Sequence, residues 1–450
     1  MAKIAEHAVV IGAGMGGLAA AAAASPYFER VTVLERDTLP AEPQWRIGTP
    51  QCRHAHALLL GGLAALGELM PGFETRLADA GAEPFRLSID FQNETPGYNP
   101  FPRRDLGLPP AYTMTRPLLE LTTRRCAEAL GNIEVKDRHA VRELAWDGGK
   151  VTGVRMGASG GDELVAADLV IDSSGRGAPT FALLKSLGHP LPDEDVITIN
   201  ASYASVIVKK PEGWVDDWRI AISLPEPPTT RAGTFCFTVE DGCWIATVIE
   251  LHGGEPPEDW ESFLAAAKNL RTPTTYNAVS QGTPVGEVMR FKRPTSTRRH
   301  FERLADFPRG LVTFGDAVCQ FNPVYGQGMT ISALQALALR ETLSAQAVEA
   351  DPLGGLAEAF FARTPAVTEG AWGAARGYDF QFPETEGVKP PDHEMIMAFT
   401  KGLIELAARD ADVHRLFTEV SHGLRSGAAY QEPAFAARVM GVLAEMQAQA

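Results

Sequence analysis

At roughly 100–200 residues per domain, a chain of 450 residues holds two or three domains. Its 45% hydrophobic and 22% charged residues are those of a globular protein, which excludes a disordered, collagenous or membrane-embedded chain. The 56 Asp and Glu against 41 Lys and Arg leave a net charge of −15, which repels phosphate backbones, so no nucleic-acid partner is expected.

The first predicted element is a strand at residues 8–12 (AVVIG), rich in β-branched side chains, followed by a helix of small residues from Gly14 to Ala24. The uncharged run Ala8 to Ser25 is not a signal peptide, because its centre is glycine rather than apolar. Between strand and helix stands Gly12-Ala13-Gly14-Met15-Gly16-Gly17. In such a G-x-G-x-x-G, Gly12 permits a tight turn, Gly14 lets a pyrophosphate approach the backbone, and Gly17 allows helix and strand to pack closely. The unpaired N–H groups and positive dipole end of the helix suit a diphosphate. A second strand, Val31 to Leu34, ends at Glu35, where a carboxylate can accept hydrogen bonds from an adenosine ribose. Dinucleotide binding follows. Glu35 and the adjacent Arg36 do not say which dinucleotide, since FAD and NAD share the ADP half.

Further along, Gln51-Cys52-Arg53-His54-Ala55-His56 precedes a predicted helix from about Ala57 to Ala80. At strand spacing Cys52, His54 and His56 would share a face, but three donors make an incomplete structural zinc set, and no metal is expected. As catalytic acid or base, His54 and His56 are candidates by residue type alone. Arg116, in Thr115-Arg116-Pro117, opens the helix that carries Glu120. A buried strand at 168–172 runs into Asp172-Ser173-Ser174-Gly175-Arg176-Gly177. Stretches at 199–209 and 244–250 alternate polar and apolar residues, which predicts a half-exposed antiparallel sheet, with a covering helix over 258–269. A third short strand, Gly310 to Phe314, leads into Gly315-Asp316-Ala317 and Asn322-Pro323-Val324-Tyr325-Gly326-Gln327-Gly328-Met329, with a helix over 330–346. Beyond 350 the pattern is helical, with Met395, Ile396, Phe399, Leu403 and Leu406 at i, i+3, i+4 spacing, a helical cap lacking the basic face of a membrane-docking helix. The five scattered cysteines favour a reducing, cytoplasmic setting over a disulfide framework.

Strand, Gly-Asp-Ala, Pro, Gly-x-Gly and long helix together resemble the closing FAD motif of the single-component flavoprotein monooxygenases, the superfamily of para-hydroxybenzoate hydroxylase and squalene epoxidase. The runs Gln-x-Arg-His-x-His and Asn-Pro-x-Tyr-Gly-Gln-Gly-Met are similar to those of a bacterial polyether-type olefin epoxidase and hydroxylase subgroup. The resemblance implies FAD as cofactor, held by Gly12, Gly14, Gly17, Glu35, Arg36, Arg53, Arg116, Asp172, Gly175, Asp316, Pro323, Gly326, Gln327, Gly328 and Met329. It implies a mixed α/β (α+β) architecture: a Rossmann-like FAD-binding domain (5–90, 110–190 and 285–345), an inserted antiparallel-sheet substrate domain (91–109 and 191–284) and a C-terminal helical region (346–450).

The implied reaction inserts one oxygen atom of O2, carried as a flavin C4a-hydroperoxide, into a hydrophobic, natural-product-like molecule by epoxidation or hydroxylation. Many relatives carry Asp-Gly-x-x-Ser where this chain has Asp172-Ser-Ser-Gly175. NAD(P)H is therefore expected as electron donor either directly or through a separate flavin reductase. A flavin halogenase is disfavoured, because the chain has no lysine between Lys3 and Lys136 and no Trp-x-Trp-x-Ile-Pro. A flavin-dependent reductase or desaturase of prenyl-type lipids and a non-catalytic nucleotide binder are the alternatives.

Overall fold

Five short strands form a parallel sheet in the order Leu311–Thr313, Leu169–Asp172, Ala5–Ile11, Phe28–Leu34, Ile133–Lys136. The computed structural model to which they belong describes residues 3–158, 161–215 and 217–449. Parallel strands are covered on both faces and read as continuous apolar runs; Leu169–Asp172 and Leu311–Thr313 are buried throughout. The helix Met15–Ala24 is six alanines after Leu18, all buried. With no side chain longer than a methyl there, the helix Gly328–Gln346 packs closely along it. The fold is thus mixed α/β with a Rossmann-like sheet at its centre.

A second sheet of seven strands runs Cys319–Gln320, Thr283–Arg299, Glu194–Lys209, Cys243–Glu250, Ala232–Val239, Ile220–Ser223, Phe91–Glu94, with every pair antiparallel except the last. The strand Thr283–Arg299 crosses the boundary read at residue 284 and carries this sheet on to residue 299. The stretch read as half-exposed at 244–250 is not: in Cys243–Glu250 all but the last residue are buried, while exposed positions lie along Thr283–Arg299. One face, with Val206, Val208 and Trp244, is covered by Phe263 of the helix Trp260–Lys268 and by the helix Thr274–Val279. Asp259 starts the covering helix in a capping box with Ser262. On the other face Tyr203 and Ile249 meet Val324 and Phe382. The alternation read from the sequence is real, but Tyr203, Ser205 and Thr247 meet their partners inside the protein rather than in water.

The helix expected over 57–80 is two helices, Leu60–Leu69 and Phe73–Asp79, because Pro71 follows the first and Gly72 turns at φ 84°. The C-terminal region is helical, at Leu356–Phe361, Thr364–Asp379, His393–Arg409, Ala411–Ser421 and Pro433–Gln449. Among the described residues no helix is long and apolar enough to cross a membrane. The stretch after Ala411–Ser421 returns to the central domain: His422 O accepts from Gly61 N–H at 2.8 Å.

Candidate functional site

Three loops leave the C-terminal ends of three adjacent parallel strands, where α/β sheets bind ligands. Gly12 sits at φ 98°, and a Cβ there would stand 2.7 Å from the carbonyl oxygen of Ser173 in the neighbouring loop. A Cβ at Gly17 would stand 1.8 Å from Gly12 O, so only glycine lets the helix press against the strand end. Around Gly14, by contrast, a Cβ would meet no atom within 4 Å. This is the open backbone position that a pyrophosphate needs. The third loop joins through Gly315, at φ 68°, whose Cβ position lies 3.6 Å from the hydroxyls of both Ser173 and Ser332.

Asp172 does not face this crevice. Its carboxylate is fully buried and accepts from Ser174 N–H at 3.1 Å, Thr180 N–H at 3.1 Å and Thr180 Oγ1 at 2.6 Å. It therefore ties the strand end to the helix Ala178–Leu187, and the loop reaches the crevice through Ser173 and the turn at Gly175, φ 80°.

Glu35 is buried at the end of its strand. Its Oε2 accepts from Ala13 N–H at 2.9 Å and lies 3.2 Å from Arg46 Nη1, and its Oε1 accepts from Asp37 N–H at 3.0 Å. A carboxylate offers about four lone-pair sites, so room for one ribose hydroxyl is left. Arg46 was not legible as a site residue. It is buried among Glu35, Asp37 (3.1 Å) and Glu120 (2.6 Å), with Nη2 3.4 Å from Ala13 O. Burial alone would lower its pKa, but Glu120 and Glu35 outweigh that and hold it raised. A pocket beside it is lined by Ala13, Pro40, Pro117, Glu120 and Arg124. Arg36 points to solvent instead, its Nε 3.9 Å from Asp37.

Arg116 is buried, reaches Glu120 only at 3.4 Å, and leaves Nε without a partner. Its charge is felt at both His56 and Asp316. A buried guanidinium with a spare donor fits the anionic bridge of a dinucleotide. Asp316 lies at the N-terminus of the Gly328–Gln346 helix, its Oδ1 4.0 Å from the Cβ position of Gly328. Burial raises its pKa, with Arg293, Gln320, Arg116 and Arg299 opposing. Gly326 turns at φ 63°, Gln327 Nε2 donates to Ser421 O at 3.3 Å, Pro323 is exposed and Met329 buried. The turn is clamped from two sides. Tyr203 of the large sheet donates to Asn322 Oδ1, and Tyr325 donates to Oδ1 of Asp379.

Asp379 is fully buried and its Oδ2 has no partner; burial lifts its carboxyl from 3.8 to about 7, against the hydrogen bond from Tyr325. A carboxyl whose pKa is raised on folding stabilises the fold below its ordinary pKa, and that contribution is lost as pH rises toward the folded value. Asp379→Asn stays neutral. Its stability relative to the parent, measured by urea unfolding, is expected to rise by about 2 kcal/mol between pH 5 and pH 7 and to level off above. A difference that does not change with pH would show that Asp379 is ionised throughout.

The segment around His54 forms no strand face: Pro50–Arg53 is a 3-10 turn that buries Cys52 and leaves Arg53 exposed, 3.5 Å from Met289 Sδ. His54 itself is inserted against the large sheet, its Nδ1 2.7 Å from Ser205 Oγ and its ring 5.6 Å from Phe291 and 6.1 Å from Tyr203. Burial and then Arg53 lower its pKa to about 4. His56 donates from Nδ1 to His54 O at 2.8 Å, and burial followed by Arg116 lowers it to about 3. Both rings are neutral at physiological pH. Ser205 and Thr247, which carry His54, could have been marked from the period-2 pattern of their strands; nothing local marks Arg46 or Asp379.

No family model matches the chain. The solved structure of the flavin-dependent brominase Bmp2 superposes with a TM-score of 0.66 at 14% identity, over 99% of this chain and 100% of that one. Squalene epoxidase 4 of Arabidopsis thaliana is 25% identical over 356 residues, 75% of this chain and 62% of that protein. Protein Rv3254 of Mycobacterium tuberculosis is 34% identical over 354 residues, 76% of this chain and 73% of that one. The chain belongs to the family of Rv3254, built on the fold of the flavin-dependent oxygenases and halogenases.

Proposed function

We propose that the protein is an FAD-dependent monooxygenase that places one oxygen atom of O2 in a hydrophobic small molecule, by epoxidation or hydroxylation, the other leaving as water. The observation that carries this reading is the meeting of the three glycine loops with the aromatic face of a second sheet, joined by the clamped Asn322–Gly328 turn. FAD supplies the oxygen chemistry. The protein's part is to bind and to exclude water. Gly14 and Arg116 would hold the pyrophosphate, Glu35 and Asp316 would take the sugar hydroxyls, and the Gly328–Gln346 helix N-terminus would supply N–H groups toward the flavin's negative charge. Tyr203, Phe291 and Val324 supply the apolar wall. In this reading the crevice belongs to a discontinuous FAD domain and the seven-stranded sheet to the substrate domain.

The electron donor is NAD(P)H, directly or through a flavin reductase. Because Asp172 is consumed as an internal cap, the loop offers no carboxylate to a second nucleotide. We expect slow reduction by NADPH alone in anaerobic stopped flow. Turnover under labelled O2 is the test of the main reading: product carrying one labelled oxygen supports it, and unlabelled product moves the protein to the reductase or desaturase reading.

A further inference from the structure

The hydroxyl chain behind His54 has a direction. Ala55 N–H lies 3.2 Å from Thr247 Oγ1, Thr247 Oγ1 2.6 Å from Ser205 Oγ, and Ser205 Oγ 2.7 Å from His54 Nδ1. A backbone N–H can only donate, so Thr247 Oγ1 accepts at that end. Thr247 O–H then finds Ser205 Oγ as its acceptor, and Ser205 O–H finds His54 Nδ1. In the reverse order Thr247 would accept twice, and its own proton would have no acceptor. Thr247 and Ser205 are 1% and 0% exposed, out of reach of bulk water, and an unmet donor there costs about 1–3 kcal/mol. The satisfied order leaves the imidazole proton on Nε2.

That nitrogen is buried and without a partner, on a ring packed against Tyr203 and Phe291. His56, two residues on, has the opposite tautomer, since its Nδ1 faces the carbonyl of His54. We propose that His54 is a substrate-specificity residue whose Nε2–H recognises an oxygen acceptor, a ketone, aldehyde, carboxylate or phenolate, on an otherwise apolar and aromatic substrate. The low pKa of the ring keeps it a one-proton donor across the physiological range rather than a cation. The substrate class rests on the oxygenase reading; the tautomer does not.

The test uses the purified full chain with its flavin content recorded separately. Nitrogen-15 NMR of histidine-labelled protein, with His54 assigned by its loss in His54→Gln, is expected to show a protonated Nε2 and a bare Nδ1. A protonated Nδ1 overturns the proposal. Two probes of one shape, 2-acetylnaphthalene and 2-isopropenylnaphthalene, differ only in C=O against C=CH2. The ketone is expected to bind about tenfold more tightly, the range of one buried hydrogen bond. His54→Phe should abolish that preference, His54→Gln should keep it through its amide N–H, and Ser205→Ala should weaken it by removing the hydroxyl that donates to Nδ1 and so sets the tautomer. Equal binding of the two probes, or a preference that survives His54→Phe, overturns the proposal. A colourless protein with Nε2–H and the ketone preference would retire the oxygenase reading while leaving this one standing. Labelled product without the preference would do the reverse.

Discussion

Gly14→Val is expected to give a folded protein that retains no flavin after desalting, whereas Gly17→Val is expected not to accumulate as folded protein. The two glycines stand three residues apart in one motif, yet they answer to different neighbours. At Gly17 a Cβ would lie 1.8 Å from Gly12 O, a backbone atom just past the strand Ala5–Ile11, so no side-chain movement relieves it. At Gly14 the backbone has φ −75°, which any residue adopts, and a Cβ meets nothing within 4 Å. The isopropyl group of valine therefore costs the fold little and fills the space where the diphosphate must approach the amide groups. Absorbance at the flavin bands, read beside the circular-dichroism melt, separates the two effects. A soluble Gly14→Val that stays yellow would place the dinucleotide elsewhere.

Those glycines were legible because their reason is local. A turn, a close strand and a helix start lie within ten residues, and each leaves its mark on composition. The same holds for the Gly315-Asp316 and Gly326 turns. Asp172 was misplaced for a related reason: a carboxylate at a strand end can turn out to a ligand or in to cap the next helix, and the deciding partner is Thr180, whose hydroxyl becomes an acceptable donor only once the helix Ala178–Leu187 exists. Arg36 and Arg46 make the opposite pair. The arginine beside Glu35 is expected at the cofactor but faces water, while the one ten positions on fills the site. Separation along the chain hides such contacts. Arg46 meets Glu120 across 74 residues, Tyr325 meets Asp379 across 54, and His54 meets Ser205 across 151. Strand periodicity shows that Tyr203 and Ser205 share a face; it does not show that a histidine from another loop is laid against it.

Arg46→Met is expected to destabilise the protein by about 3–5 kcal/mol, the range for removing one partner of a buried ion cluster. Methionine fills much of the stem volume, so the loss measures charge rather than a cavity. Without the guanidinium, Glu35, Asp37 and Glu120 face one another, with side chains only 6%, 13% and 13% exposed. Like charges at that depth raise one another's pKa. Carboxyl groups whose folded pKa is raised support the fold at low pH and lose that support as pH climbs through the folded value, so the deficit of Arg46→Met should be larger at pH 8 than at pH 5. Arg46→Lys should fall between, since one ammonium cannot serve Glu120 through Nε and Glu35 with Asp37 through Nη1 at once. Flavin affinity should drop with stability in Arg46→Met, because Ala13, the residue between the first two glycines, loses its contact with Nη2 and shares Glu35 with a carboxylate no longer neutralised. Urea unfolding of the three proteins at both pH values is the measurement. A loss below about 1 kcal/mol, the level of an exposed pair, would mean that the three carboxylates do not depend on this arginine.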